Sequence, residues 1–209
     1  MLQTLTERLF EDGDRTDLDP FAVFEEWFAL AKASEPNDPH TMALATVDAD
    51  GLPDVRMVLL NARDANGFCF FTNFESEKGK QLLAHPKAAL AFHWKSLRRQ
   101  VRMRGPVTEV TTAEADAYFA SRPKGSQIAS SASQQSRPLD RKLTLLDRVS
   151  HLATDIDDGP VVRPPHWSGF RLMPVSIEFW KDGEFRLHDR VRFTRDGADE
   201  AWTSTRLYP

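Results

Sequence analysis

Phe179-Trp180-Lys181-Asp182-Gly183-Glu184-Phe185-Arg186-Leu187-His188-Asp189-Arg190 is the stretch on which the reading of this chain turns. Asp182-Gly183 is a tight-turn signal with apolar residues on both sides. The segment therefore predicts a β-hairpin with Arg186 to Arg190 on the returning strand. In an extended strand alternate residues share a face, so Arg186, His188 and Arg190 point one way and Leu187 the other. Three cationic or titratable groups on one sheet face suit an anion such as a phosphate ester. A solvated basic edge strand fits the alternation equally well.

Outward from the hairpin, the chain divides at Asp19. Residues 1–18 are polar and read as a flexible N-terminal arm. Asp19-Pro20 then supplies an N-cap and a first-turn proline. Phe21, Phe24, Phe28 and Ala31 follow at helical spacing, widened by Val23, Trp27 and Leu30, a stripe that reads as core. From residue 41 the period is two. Strands are expected over Thr41–Val47, Pro53–Asn61 and Phe68–Asn73, with turns at Asp48–Gly51 and Asn66-Gly67. These connections suit an antiparallel meander. Ser76 can cap a helix to about His85. Lys87–Trp94 and Arg99–Val110 read as another strand pair, and Thr111 with Glu114 as a capping box for a helix through Ser121. Residues 125–136 are loop or short helix, and Asp140–Thr154 a helix. Strands return at Gly169–Trp180, Phe185–Thr194 and Ala201–Leu207. Strands first and last, with helices between and around them, predict an α+β domain over 19–209 built on a closed or nearly closed antiparallel barrel.

The 209 residues carry a formal net charge of −4, 41% hydrophobic and 28% charged residues. This is the make-up of an ordinary globular domain. A weakly acidic whole argues against nucleic acid or an anionic membrane as partner, so any anion site is a local cluster. Cys69, the single cysteine, lies in an apolar run and reads as a buried structural thiol. The six histidines lack metal-ligand spacing, so no metal is expected. The N-terminus shows neither a secretory pattern nor a membrane span, and cytoplasmic residence is the expectation.

Two further segments could bind anions. Glu75-Ser76-Glu77-Lys78-Gly79 opens a helix after a strand. Free N–H groups and the positive dipole end favour phosphate there, and Lys78 adds a charge; an ordinary capped helix start is the alternative. Tyr118 and Arg122 share a helix face, and Ser126 follows closely, so a phenol, a guanidinium and a hydroxyl could cradle a phosphate. A surface Tyr–Arg pair with an unrelated serine is the simpler alternative. Gln100, Arg102 and Arg104 alternate on one face of their strand, which a solvated face also explains.

Phe-Trp, a spacer and Arg-Leu-His-Asp-Arg in that order closely resemble the signature of the pyridoxine (pyridoxamine) 5′-phosphate oxidase family of flavoenzymes. Arg56-Met57-Val58-Leu59-Leu60, Phe71-Thr72-Asn73, Arg99-Gln100-Val101, Ser121-Arg122-Pro123, Gln135-Ser136-Arg137-Pro138, Pro164-Pro165-His166-Trp167 and Arg206-Leu207-Tyr208-Pro209 fit as well. The resemblance runs in family order from about Asp19 to Pro209. It implies a split β-barrel that binds FMN at the interface of a homodimer. It also implies oxidation of pyridoxine 5′-phosphate or pyridoxamine 5′-phosphate to pyridoxal 5′-phosphate, with O2 as acceptor and H2O2 as product.

By the same resemblance, Arg56, Met57, Val58, Leu59, Leu60, Asn61, Phe71, Thr72, Glu77, Lys78, Gln100, Gln135, Ser136, Trp180 and Arg190 fall at cofactor positions. Asn61, Tyr118, Arg122, Ser126, Arg186, Leu187 and His188 fall at substrate positions, with Arg186 and His188 over the reacting centre. Two positions depart from the pattern. Asn61 stands where the family has a lysine that reaches the substrate, so Asn61→Lys is expected to lower KM. Glu77 stands where an arginine often contacts the FMN phosphate. The alternatives are a related flavin oxidase acting on another ring, such as a phenazine precursor, and a non-enzymatic flavin- or pyridoxal-phosphate-binding protein.

Overall fold

A computed structural model describes residues 3–13 and 15–209. Its elements are α1 Leu5–Phe10, α2 Pro20–Ser34, β1 Thr41–Val47, β2 Pro53–Leu59, β3 Ala62–Asp64, β4 Gly67–Asn73, α3 Glu77–Ala84, β5 Lys87–Trp94 and β6 Arg99–Glu109. They continue with α4 Thr112–Ser121, α5 Lys124–Ala132, α6 Lys142–Ile156, β7 Trp167–Leu172, β8 Ser176–Lys181, a 3₁₀ turn Glu184–Arg186, β9 Asp189–Thr194 and β10 Thr203–Arg206.

One path of the sheet runs β10-β9-β8-β6-β5-β1-β2, and a second branch joins β3, β4 and β7 to β6. Every pairing is antiparallel. The long strand β6 is the hinge between the branches. Its residues 99–104 pair with β8 and residues 107–109 with β7. Gly105 sits at the change-over, where an added Cβ would lie 2.0 Å from the Met173 carbonyl oxygen. Only glycine allows that approach, and it lets one strand leave one neighbour for another. The result is an antiparallel split barrel in an α+β fold, as expected.

The barrel closes around aromatic side chains. Phe24, Trp27 and Phe28 of α2 pack among Phe68, Phe92, Trp94 and Phe179, and all are buried. Burying each such ring stabilises the fold by roughly 1.5–3 kcal/mol. Asp19 caps α2 by accepting from the Phe21 N–H. Of the helix stripe read from sequence, Leu30 alone is 40% exposed.

The structure corrects several local readings. Within residues 1–18 lies α1, capped by a Thr4–Glu7 box and holding fully buried Leu9. Glu26 accepts from the Leu5 and Thr6 N–H groups, and Thr6 Oγ1 accepts from Trp27 Nε1. The apolar residues that dock α1 are too few for a helical pattern to stand out. Met1, Leu2 and Asp14 of that arm lie outside the described residues. β4 pairs with β3 and β7 rather than β2, so the meander ends at β2. The expected strand 169–180 is two strands, parted at Met173–Val175 beside Gly105.

Candidate active site

The hairpin read from Asp182-Gly183 is longer than a tight turn. β8 and β9 pair in the register Trp180↔Arg190 and Lys181↔Asp189, which leaves residues 182–188 as a loop. Gly183 has ordinary extended dihedrals. It is required because an added Cβ would lie 2.0 Å from the Leu187 carbonyl oxygen. Phe185 and Arg186 are left-handed, with φ of 54° and 68°. Arg186 and His188 therefore do not alternate along a strand. Arg186 and Leu187 stand exposed at the tip. The His188 ring turns back against Trp180, with centroids 4.7 Å apart. Its Nδ1 lies 3.1 Å from the Gly183 nitrogen. Asp182 Oδ1 lies 3.1 Å from the same Nδ1. Asp182 is also tied to Arg98, by an ion pair and by its N–H to the Arg98 carbonyl.

Gln100, Trp180 and Arg190 form one row across β6, β8 and β9. Arg190 reaches Glu178 and the Tyr208 carbonyl oxygen. Burial alone would raise the Glu178 carboxyl, but hydrogen bonds and charge from Arg102 and Arg190 outweigh it and hold it low.

A cavity of about 350 Å³ gathers many of the other expected residues. Met57, Val58, Leu59, Asn61, Phe71, Thr72, Lys78, Tyr118, Arg122 and Gln135 line it, from β2, β4, α3, α4 and the α5–α6 connection. Its aromatic wall is the near-parallel group Phe71, Tyr118 and Trp167, with Phe71 4.2 Å from Tyr118 and 5.3 Å from Trp167, and Tyr118 6.1 Å from Trp167. Ser76 caps α3 through the Gly79 N–H and is itself fully buried. Lys78 then projects to Gln135 Oε1 at 3.2 Å and Ser76 Oγ at 3.4 Å, both neutral. Burial and the charge of Arg56 lower the Lys78 ammonium from its ordinary value. Arg122 donates to Ser130 Oγ at 2.9 Å and lies over the Trp167 ring. Burial lowers its guanidinium as well. Among the described residues neither cation forms an ion pair, so the cavity holds two half-buried positive charges hydrogen-bonded to neutral groups, with Asp54 acting on Lys78 only through its charge.

Several expected site residues are elsewhere. Arg56 is spent on Thr46, Asp54 and Gln81 and acts on Lys78 only through its charge. Leu60 is buried in the core. Glu77 pairs with Lys80 on the solvent side of α3. Ser126 and Ser136 are exposed and do not line the cavity. Ser130, Ser133, Asn73 and Trp167 line it without having been assigned a role from sequence. Ser130 had a usable signal, since it lies four residues beyond Ser126 on the same helix face.

Fold and cavity together define a split-barrel protein with a cationic, aromatic-walled pocket at the sheet edge. Residues 31–167 match the family described as pyridoxamine 5′-phosphate oxidase. Residues 167–209 match the pyridoxine 5′-phosphate oxidase C-terminal dimerisation region. The chain belongs to the pyridoxine/pyridoxamine 5′-phosphate oxidase family, a family of oxidoreductases. It is 61% identical to the pyridoxine/pyridoxamine 5′-phosphate oxidase of Azorhizobium caulinodans, over 94% of this chain and 93% of that protein. The enzyme of that name from Rhizobium leguminosarum bv. trifolii is 58% identical, over 94% and 96%. Among solved structures, PhzG from Burkholderia lata in complex with tetrahydrophenazine-1-carboxylic acid superposes with a TM-score of 0.85 at 30% identity, covering 96% of this chain and 100% of that one. A protein described as pyridoxamine 5′-phosphate oxidase-related and FMN-binding, from Nostoc punctiforme, shares the fold, with a TM-score of 0.74 at 18% identity and coverage of 92% and 99%.

Proposed function

We propose that this chain oxidises pyridoxine 5′-phosphate and pyridoxamine 5′-phosphate to pyridoxal 5′-phosphate, with FMN as cofactor and O2 as acceptor. One observation carries the reading: Lys78 and Arg122 sit half-buried in one cavity, each hydrogen-bonded only to neutral groups and in no ion pair among the described residues. Two phosphate monoesters, one on the cofactor and one on the substrate, supply the missing charge. Lys78, with Arg56 behind it, takes the FMN phosphate at the start of α3. Arg122 and Tyr118, with Ser126 nearby, anchor the substrate phosphate. Gln100, Gln135, Ser136, Trp180 and Arg190 belong to the cofactor site. Glu77 is turned to Lys80 and makes no phosphate contact.

FMN, when bound, supplies the two-electron acceptor and passes the electrons to O2. With pyridoxine phosphate the alcohol carbon loses two electrons and two protons, giving the aldehyde and H2O2. With pyridoxamine phosphate one water also enters and ammonia leaves. The protein's part is position and exclusion of water. Arg186 orients the substrate ring, and His188, held by Gly183 and Asp182, lies beside it.

The site belongs to a homodimer. The match of 167–209 to a dimerisation region supports this. So does the row Val55, Met57 and Leu59 on one face of β2, exposed by 64%, 61% and 44%. Met57 and Leu59 also border the cavity, so a second copy on this face would close it. Light scattering is expected to give twice the 23.7 kDa chain mass.

The purified protein is expected to be yellow, to release FMN on denaturation, and to consume O2 with either phosphate. Colourless protein that takes up no FMN would sink this reading. Flavin and ligand binding without peroxide would instead make it a binding protein. The likeness to PhzG favours one other substrate class, and turnover of a reduced phenazine carboxylate in preference to both phosphates would establish it.

A further inference from the structure

We infer that Asn61 is a positioning residue, which acts on the substrate phosphate through the Tyr118 hydroxyl instead of reaching the substrate itself. The inference rests on the phosphate-ester reading above. Asn61 stands between β2 and β3, and its own N–H donates to the Cys69 carbonyl at 2.9 Å, which fixes its backbone against β4. Its side chain extends the same ladder, because Oδ1 accepts from the Phe71 N–H at 3.2 Å. A backbone N–H can only donate. That contact therefore settles which way the amide faces: oxygen to the strand, nitrogen to the cavity.

On the cavity side, Nδ2 donates to the Tyr118 oxygen at 2.5 Å. An amide nitrogen can only donate, so the phenol oxygen is the acceptor in this bond. Its own hydrogen is then free for another acceptor, in the cavity that Arg122 also lines. The Tyr118 ring cannot swing away, since it stacks on Phe71 at 4.2 Å and 16°. Asn61 thus holds both parts of one device, the strand beneath the ring and the oxygen at its end. A lysine could donate to the phenol but has no acceptor for the Phe71 N–H. The exchange of lysine for asparagine replaces a charged contact with a neutral donor set in place. It also qualifies the expectation that Asn61→Lys simply lowers KM, because that change breaks the strand contact as well.

The test is a double-mutant cycle on the FMN-loaded protein, reading kcat and KM for pyridoxine 5′-phosphate by O2 uptake. Tyr118→Phe and Asn61→Ala are each expected to raise KM about tenfold with kcat within about twofold, as for lost uniform binding. Asn61→Ala in the Tyr118→Phe background is expected to add less than about twofold. An additive loss of about a hundredfold, or an unchanged KM in Asn61→Ala, overturns the inference. If Asn61→Ala does not fold, Asn61→Asp serves. It keeps the acceptor for the Phe71 N–H but pulls the phenol proton towards itself, and its KM penalty is expected to shrink in the Tyr118→Phe background. Equal penalties in both backgrounds overturn the inference. Wild-type protein that turns over neither phosphate overturns the functional reading and this inference together, whereas turnover with additive effects removes this inference alone.

Discussion

The cavity and the hairpin tip hold the two groups of expected site residues, and they are built in opposite ways. The cavity is assembled from distant parts of the chain, and its polar groups are held by neighbours: Ser76 by Gly79, Lys78 by Gln135, Arg122 by Ser130, Asn61 by Phe71. The tip is a single loop with Phe185 90% and Leu187 72% exposed and two consecutive left-handed residues. Such dihedrals cost of order 1–3 kcal/mol each and persist only where the surroundings impose them. Here the loop is bounded by the β8–β9 ladder and the Arg98–Asp182 ion pair. The difference indicates what each region does within one chain. On the proposed reading the cavity is the preformed anion site, whereas the tip presents unburied groups that the proposed second copy would cover.

The largest effect is expected at the cavity. Arg122→Ala should raise KM for pyridoxine 5′-phosphate by roughly ten- to a hundredfold, since a charge-assisted hydrogen bond contributes about 1.5–3 kcal/mol. Steady-state kinetics with kcat nearly unchanged would support a preformed anchor. Equal KM would move the phosphate elsewhere.

The tip should behave differently. Arg186→Ala is expected to lower kcat/KM at least about tenfold, or ~1.4 kcal/mol of transition-state binding. FMN content and thermal stability should hold, because the side chain is exposed. Full activity in this variant would make the tip a structural loop and erase the contrast.

Next comes the strain itself. Phe185→Gly should stabilise the protein by about 1 kcal/mol, because glycine adopts a left-handed conformation without steric penalty. A scan of melting temperature should show a rise of about 2–4 °C. A drop would mean that the exposed ring is held by contacts outside a single chain.

The smallest effect concerns acid. Glu178 is held below its ordinary carboxylate value of 4.5 by Arg102 and Arg190, against the opposing effect of burial. A depressed folded value means stability present above the unfolded value and lost as pH falls through the folded one. Glu178→Gln should therefore be less stable than wild type at neutral pH, with the gap narrowing below about pH 4. Denaturant titrations at several pH values would read it, and a gap independent of pH would assign the loss to packing.

The order and type of most elements were legible because each announces itself locally. Period two marks β1 and β5 to the residue, and capping chemistry at Asp19, Ser76 and Thr111 starts α2, α3 and α4 where expected. The docked α1, the three-residue β3 and the break at Met173–Val175 were not legible, because each is decided by contacts with distant chain. Within the site, the family order of motifs named residues but could not say which share a wall.

Sequence alone therefore determined the α+β barrel class, the candidate anion-binding residues and the family resemblance, since these rest on short-range periodicity and motif order. Tertiary structure decided the rest. It gathered Lys78 and Arg122 into one cavity, spent Arg56 on β1 and α3, turned Glu77 to solvent and lifted Arg186 off the strand. It also gave Asn61 two partners, ten and 57 residues away. The physical reason is that a hydrogen bond or a desolvated charge depends on which groups meet in space. That meeting is set by how β6 changes partners at Gly105, which no local pattern contains.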